Sequence, residues 1–142
     1  DETLAGLARG NAAANDISAG VLTLDVTAGA EAFAAAGLGP DSADAVLMNY
    51  VHDISRTPAA VSNILRQVRP GGRVVIAGMK FFPWWIGPLN LLAWAKNRPY
   101  NAKAADLWQP WSQVAALCDD FQWSPTQWGM GYIGSGTRKE QS

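Results

Sequence analysis

Apolar positions change their spacing several times along this chain, and the changes divide it into elements. In residues 2–14 (ETLAGLARGNAAA), Leu4, Leu7, Ala8 and Asn11 recur at helical intervals, with Leu4 and Leu7 as anchors. Gly6 and Gly10 weaken that helix, each by about 1 kcal/mol relative to Ala. NDISAG is a loop, and VLTLDV then predicts a strand, Val21–Asp25. GAEAFAAAG predicts a short helix closed by Gly37, and LGPDSA a turn. DAVLMNY, Asp44 to Tyr50, is a nearly continuous apolar run, as expected of a strand covered on both faces. RTPAAVSNILRQV is the clearest helix: Thr57 suits its cap, Pro58 its first turn, and Val61, Ile64, Leu65 and Val68 form its apolar stripe.

Between that helix and the next apolar strand, Arg73–Gly78, stands Arg-Pro-Gly-Gly. Pro70 presets the first corner of a tight turn, and Gly71 can take the positive φ that other residues resist. Helix and strand thus alternate three times up to Gly78, which implies parallel strands joined by right-handed helical crossovers. The remainder differs. Residues 81–110 are rich in Trp, Pro and Asn, with a helix expected near Leu89–Lys96. PWSQVAALC predicts another short helix, and FQWSPTQW and GMGYIGSGTR a closing hairpin. The expected fold is α/β: a Rossmann-like three-layer sandwich with a mostly parallel sheet and an antiparallel C-terminal strand.

Composition narrows the function classes. A chain of 142 residues with 49% hydrophobic content fills one core. Eleven basic against twelve acidic residues give a net charge of −1, which argues against a nucleic-acid partner. One cysteine, Cys118, cannot form an internal disulfide, and no Cys/His cluster suggests a metal, so a reducing, cytoplasmic setting is expected. DETLAGLARG does not read as a signal peptide. The most apolar run, Phe81 to Ala95, is too short to span a bilayer and holds two prolines.

Three pieces, a strand ending in LDV, a strand ending in MNYVHD, and a helix leading through RPGG into RVVIAG, together resemble the second two-thirds of a class I S-adenosylmethionine-dependent methyltransferase. GMGYIGSGTR resembles that family's antiparallel last strand. The resemblance covers nearly the whole of residues 1–142, with 81–111 as a lid-like, aromatic-rich insertion. The family's glycine-rich loop and its ribose-binding acid have no counterpart here, so the resemblance implies an N-terminally truncated domain. It further implies that Val21–Asp25 lacks its neighbouring strands, that the fragment alone is inactive, and that its open sheet edges invite a second copy.

The resemblance also implies roles. The Asp25 carboxylate would accept from the adenine amino group of S-adenosylmethionine, with the Val26 backbone donating beside it. A helix cap is the competing role for Asp25. The backbone of Asn49 and Tyr50 would face the methionine part of the cofactor, unless the two are an ordinary strand end. His52, the sole histidine, would be the general base for an acceptor hydroxyl, oriented by Asp53, or else pack or cap the following helix. Trp84, Trp85, Trp94, Tyr100, Trp108 and Trp111 would line a site for a small apolar or aromatic acceptor, or form core or subunit interface. Lys96, Arg98 and Lys103 read as solvated charges, and Cys118 as a core residue on a helix face.

Two other functions stay open. An NAD(P)-dependent Rossmann oxidoreductase needs a phosphate-binding glycine loop and Tyr-x-x-x-Lys, yet Ile54 stands four positions after Tyr50. A non-catalytic fragment would associate through its exposed sheet edges.

Overall fold

The alternation from Val68 to Met79 forms the centre of the sheet. The computed structural model describes residues 2–16, 18–81, 87–97 and 108–140. Their element order is α1 (Glu2–Ala14), α2 (Ala30–Ala35), β1 (Ala43–Asn49), α3 (His52–Ser55), α4 (Pro58–Gln67), β2 (Val68–Met79), α5 (Gly87–Asn97), α6 (Ser112–Ala116), β3 (Cys118–Thr126) and β4 (Gly131–Arg138). The sheet runs β1-β2-β4-β3. β1 and β2 are parallel, from Ala45 opposite Arg73 to Asn49 opposite Ala77. β4 is antiparallel to both β2 and β3, so β3 runs in the direction of the parallel pair. The expected topology of Asp44–Asn49, Arg73–Gly78 and the C-terminal hairpin is therefore present.

Burial follows the period-two pattern of β2: Val74 and Ile76 are buried while Val75 and Ala77 are only half-buried. Val74 and Ile76 join Met48, Tyr132, Val61 and Leu65 of α4, and Val114 of α6 in one core on the helical side. The opposite face is less covered, because Leu47 remains 66% exposed and Ile133 50%. The apolar run in β1 therefore does not mark a strand buried on both faces. Gly134 and Gly136 of β4 have a specific reason. β3 shifts register between Asp119 and Gln122, and a side chain on either glycine would strike the displaced Phe121 or the backbone beside it.

The Arg-Pro-Gly-Gly stretch lies inside β2 rather than ahead of it. Ala43 pairs with Val68 and Ala45 already with Arg73, so residues 69–72 bulge out of the ladder opposite Asp44. Gly71 has φ +73°, as the turn chemistry requires. At Gly72 the constraint is space. A Cβ there would sit 2.6 Å from Val68 Cγ1, 2.7 Å from the Arg69 carbonyl oxygen and 2.9 Å from that of Asp44. Arg69 Nε meets the Asp44 carboxylate at 2.8 Å across the outside of the bulge.

At the same amino edge of the sheet, Arg138 is buried and pairs with the Asp41 carboxylate while donating to the Val68 carbonyl. The Asp41 amide donates to the Arg66 carbonyl at 3.0 Å. The end of the last strand is thus tied to both connections flanking α4 and β1, a link between residues almost a hundred positions apart that no local pattern announces.

Several sequence expectations are corrected. Residues 18–25 contain no strand. A strand exists only through its ladder, and among the described residues β1, at the sheet edge, pairs with β2 alone, which leaves Val21–Asp25 outside the sheet. Leu7 is 61% exposed and so anchors nothing. Thr57 does precede α4 and Pro58 does begin it, but the Thr57 hydroxyl donates to the Asp53 carbonyl at 2.8 Å instead of capping the helix. Cys118 is buried as expected but opens β3, two residues beyond the end of α6. Trp84, Trp85, Tyr100, Arg98 and Lys103 lie outside the described residues, as do the side chains of Trp94 and Lys96.

Two measurements check this packing. Gly72→Ala should lower stability by about 2 kcal/mol in urea denaturation, because the obstructing atoms are mostly backbone. Burial pushes the Cys118 thiol from its ordinary 9.0 up to about 11. The unfolded state therefore loses this proton first, and the thiol's contribution to stability declines as pH rises from about 9. Iodoacetamide at pH 8 should leave Cys118 unmodified in the native chain and alkylate it rapidly in urea.

Candidate functional site

In open α/β sheets ligands bind outside the carboxyl ends of the parallel strands. Here that edge is formed by the ends of β1 and β2 and the start of β4, because Met79 lies opposite Gly131. Asn49 ends β1 with an exposed side chain. Tyr50 follows with φ +54°, a left-handed backbone unusual for an aromatic residue. Its amide still donates to the Ala77 carbonyl at 2.8 Å, so the chain leaves the ladder and turns at one residue. Val51 precedes α3 and accepts from the Ser55 amide at 2.9 Å. This abrupt exit brings Asn49, Tyr50, His52 and Asp53 to one end of the sheet. Asp53 is exposed, and the His52 side chain lies outside the described residues.

The connection from β3 to β4 meets this edge from the other side. It is a tight turn, Gln127–Gly129, in which Gln127 (φ +49°) and Trp128 (φ +59°) are both left-handed. Gln127 Nε2 donates to the Tyr50 hydroxyl at 2.9 Å. The Lys80 amide donates to the Met130 carbonyl at 2.7 Å, holding the far side of the turn to the end of β2. Gly131 leaves room at the turn's exit, since a Cβ there would overlap Thr126 Oγ1 and approach Gln127 Oε1 to 3.2 Å, so both side chains would have to shift. Sequence reading missed Gln127 and Trp128, taking the segment as the end of a strand. The one available signal was Gly129 closing a polar-aromatic pair immediately before the next strand.

Aromatic side chains line the neighbouring surface. Trp111 is buried and packs against Trp123 with ring centroids 4.3 Å apart and against Tyr132 at 4.8 Å. Lys80 Nζ lies 5.5 Å from the Trp123 ring centroid, and partial burial lowers its pKa. Phe81 meets Trp108 edge to face at 5.4 Å. Among the aromatic residues singled out from the sequence, Trp111 is thus core and Trp108 is half exposed.

Asp25 and Val26 belong to the turn ahead of α2. Asp25 Oδ1 accepts from the Thr27 hydroxyl at 2.6 Å and from its amide at 2.9 Å, and these bonds hold the carboxyl below its ordinary pKa. The Ala28 amide closes the turn on the Asp25 carbonyl at 3.1 Å. The residue preceding α2 is Gly29, so Asp25 is a turn former and not the helix cap. Asn63 of α4 donates to the Val26 carbonyl at 3.1 Å, tethering the turn to that helix. Among the described residues, no hydrogen bond or ion pair joins Asp25 or Val26 to Asn49 or Tyr50.

Solved structures share this arrangement. The CMeT domain of the citrinin polyketide synthase superposes over 99% of the chain and 38% of its own, with TM-score 0.64 and 14% identity. An O-methyltransferase family protein from Burkholderia thailandensis superposes over 95% of this chain and 41% of its own, with TM-score 0.56 and 16% identity. The CurJ carbon methyltransferase does so over 83% and 34%, with TM-score 0.55 and 14% identity. No protein-family model and no curated protein sequence matches the chain. The chain has the class I methyltransferase fold, and it spans between a third and two-fifths of the length of these three structures.

The left-handed turn at Tyr50 can be tested by stability. Tyr50→Asn and Tyr50→Val both lose the bond to Gln127, so the backbone shows in their difference: Tyr50→Val should be about 2 kcal/mol less stable than Tyr50→Asn, since asparagine tolerates this conformation and a β-branched side chain does not.

Proposed function

We propose that the intact protein transfers a methyl group from S-adenosylmethionine to a small, apolar or aromatic acceptor. The support is the strand order with its antiparallel β4, matched over nearly the whole chain by methyltransferase structures. The residues of this chain suit two parts of such a cofactor. The ionised Asp25 has Oδ1 held by Thr27, leaving Oδ2 to accept from an amino group. Among the described residues the Val26 amide makes no backbone hydrogen bond outside the regular elements, and it would donate to the same ring. At the other end, the backbone of Asn49 and Tyr50 turns sharply at the sheet edge and offers polar groups to an amino-acid moiety. The ribose has no partner in this set.

When bound, the cofactor supplies an electrophilic methyl carbon on a sulfonium centre. The chain's own contribution is alignment and proton removal. His52 takes the proton from an acceptor hydroxyl, and Asp53 orients the imidazole.

Isothermal calorimetry separates this reading from the dinucleotide alternative. S-adenosylhomocysteine should bind and NAD should not. Asp25→Ala should weaken S-adenosylhomocysteine by about tenfold, through loss of a charged acceptor. Binding of NAD in preference would overturn the proposal.

A further inference from the structure

Trp128 is 99% exposed at the tip of the turn between β3 and β4. An indole left wholly in water forgoes a large burial gain, and its backbone is held in a conformation that disfavours a bulky residue. The turn is also anchored: Gln127 bonds Tyr50, and the Lys80 amide bonds the Met130 carbonyl. Both anchors lead to the carboxyl edge, where the methyl-transfer reading puts the acceptor.

The Gln127–Tyr50 bond has a chemical consequence. Gln127 donates, so the Tyr50 oxygen accepts and its own proton remains to be given. A hydroxyl donor thus stands one residue from an uncovered aromatic face. We propose that Trp128 and the Tyr50 hydroxyl form the acceptor-selecting rim of the site, taking a flat aromatic small molecule that carries an oxygen. The ring stacks on Trp128, and the oxygen accepts from Tyr50. This rests on the methyl-transfer reading for the location, although the pair itself needs no cofactor. Within its turn Trp128 is flanked by Gln127 and Gly129, so the turn itself presents a single aromatic ring. That favours a small planar ligand over a protein surface.

The probe is 2-naphthol, followed by its own fluorescence on titration with the full chain. Three variants are compared, each checked for folding by its urea midpoint. Trp128→Asn, which suits the left-handed backbone, should weaken 2-naphthol binding by about tenfold, and Trp128→Phe should keep most of it. Tyr50→Phe should weaken it by roughly fivefold, as expected for one lost hydrogen bond. Binding of 2-naphthol by Trp128→Asn within twofold of the parent, or no binding by the parent, would overturn the proposal. So would a dimer that dissociates in Trp128→Asn while 2-naphthol has no effect, which would make the ring a self-association contact. S-adenosylhomocysteine is titrated in parallel. If the intact protein fails to bind it while this chain loses 2-naphthol on Trp128→Asn, the methyl-transfer reading falls and the rim stands.

Discussion

β2 is the strand on which the rest of the molecule depends. It alone has a parallel ladder on one side, to β1, and an antiparallel ladder on the other, to β4. Its Val74 and Ile76 supply the centre of the core beneath α4 and α6. The bulge at residues 69–72 lets the chain pass from α4 into this central position without breaking the ladder below it. At the lower end Arg138 fastens β4 to the same strand through the Val68 carbonyl. At the upper end, the amide of Tyr50 and the amide of Lys80 continue the ladders into the loops that bear the candidate site. Stability and site geometry therefore share one set of backbone bonds.

That dependence explains what could be read from the sequence. α4 was legible because a proline, an apolar stripe and a bounding glycine pair all agree locally. The parallel pairing followed from the alternation, and the closing hairpin from two adjacent apolar-alternating runs. Val21–Asp25 was misread because its pattern is sound but its state depends on partners, which no local pattern encodes. Thr57 had the right identity for a cap, yet a carbonyl one turn earlier offered its hydroxyl a better partner. The bulge was read correctly as a turn but placed outside the strand, since pairing on both sides of it is visible only in three dimensions.

The candidate site was legible to a lesser degree. Asn49, Tyr50, His52 and Asp53 are consecutive or nearly so, and their common location follows from where β1 ends. Gln127 reaches Tyr50 from 77 positions away, through a turn whose two left-handed non-glycine residues carry no sequence signature. Asp25 illustrates the converse. Its residue type and position suggested a binding role, while its bonds to Thr27 account for its local order without any ligand. β1 ends at the edge that carries Asn49 and Tyr50, and the Gln127 turn meets it there.

The place of β1 at the end of the sheet has a dynamic consequence. In a parallel ladder each strand directs alternate amides to a given neighbour. One set of β1 amides therefore faces β2, and the intervening set faces outward from the sheet. Deuterium uptake along β1 should consequently alternate, slow and fast, from residue to residue. Any extended segment that docked on the outer side would erase the alternation, so the pattern itself reports whether that side is occupied.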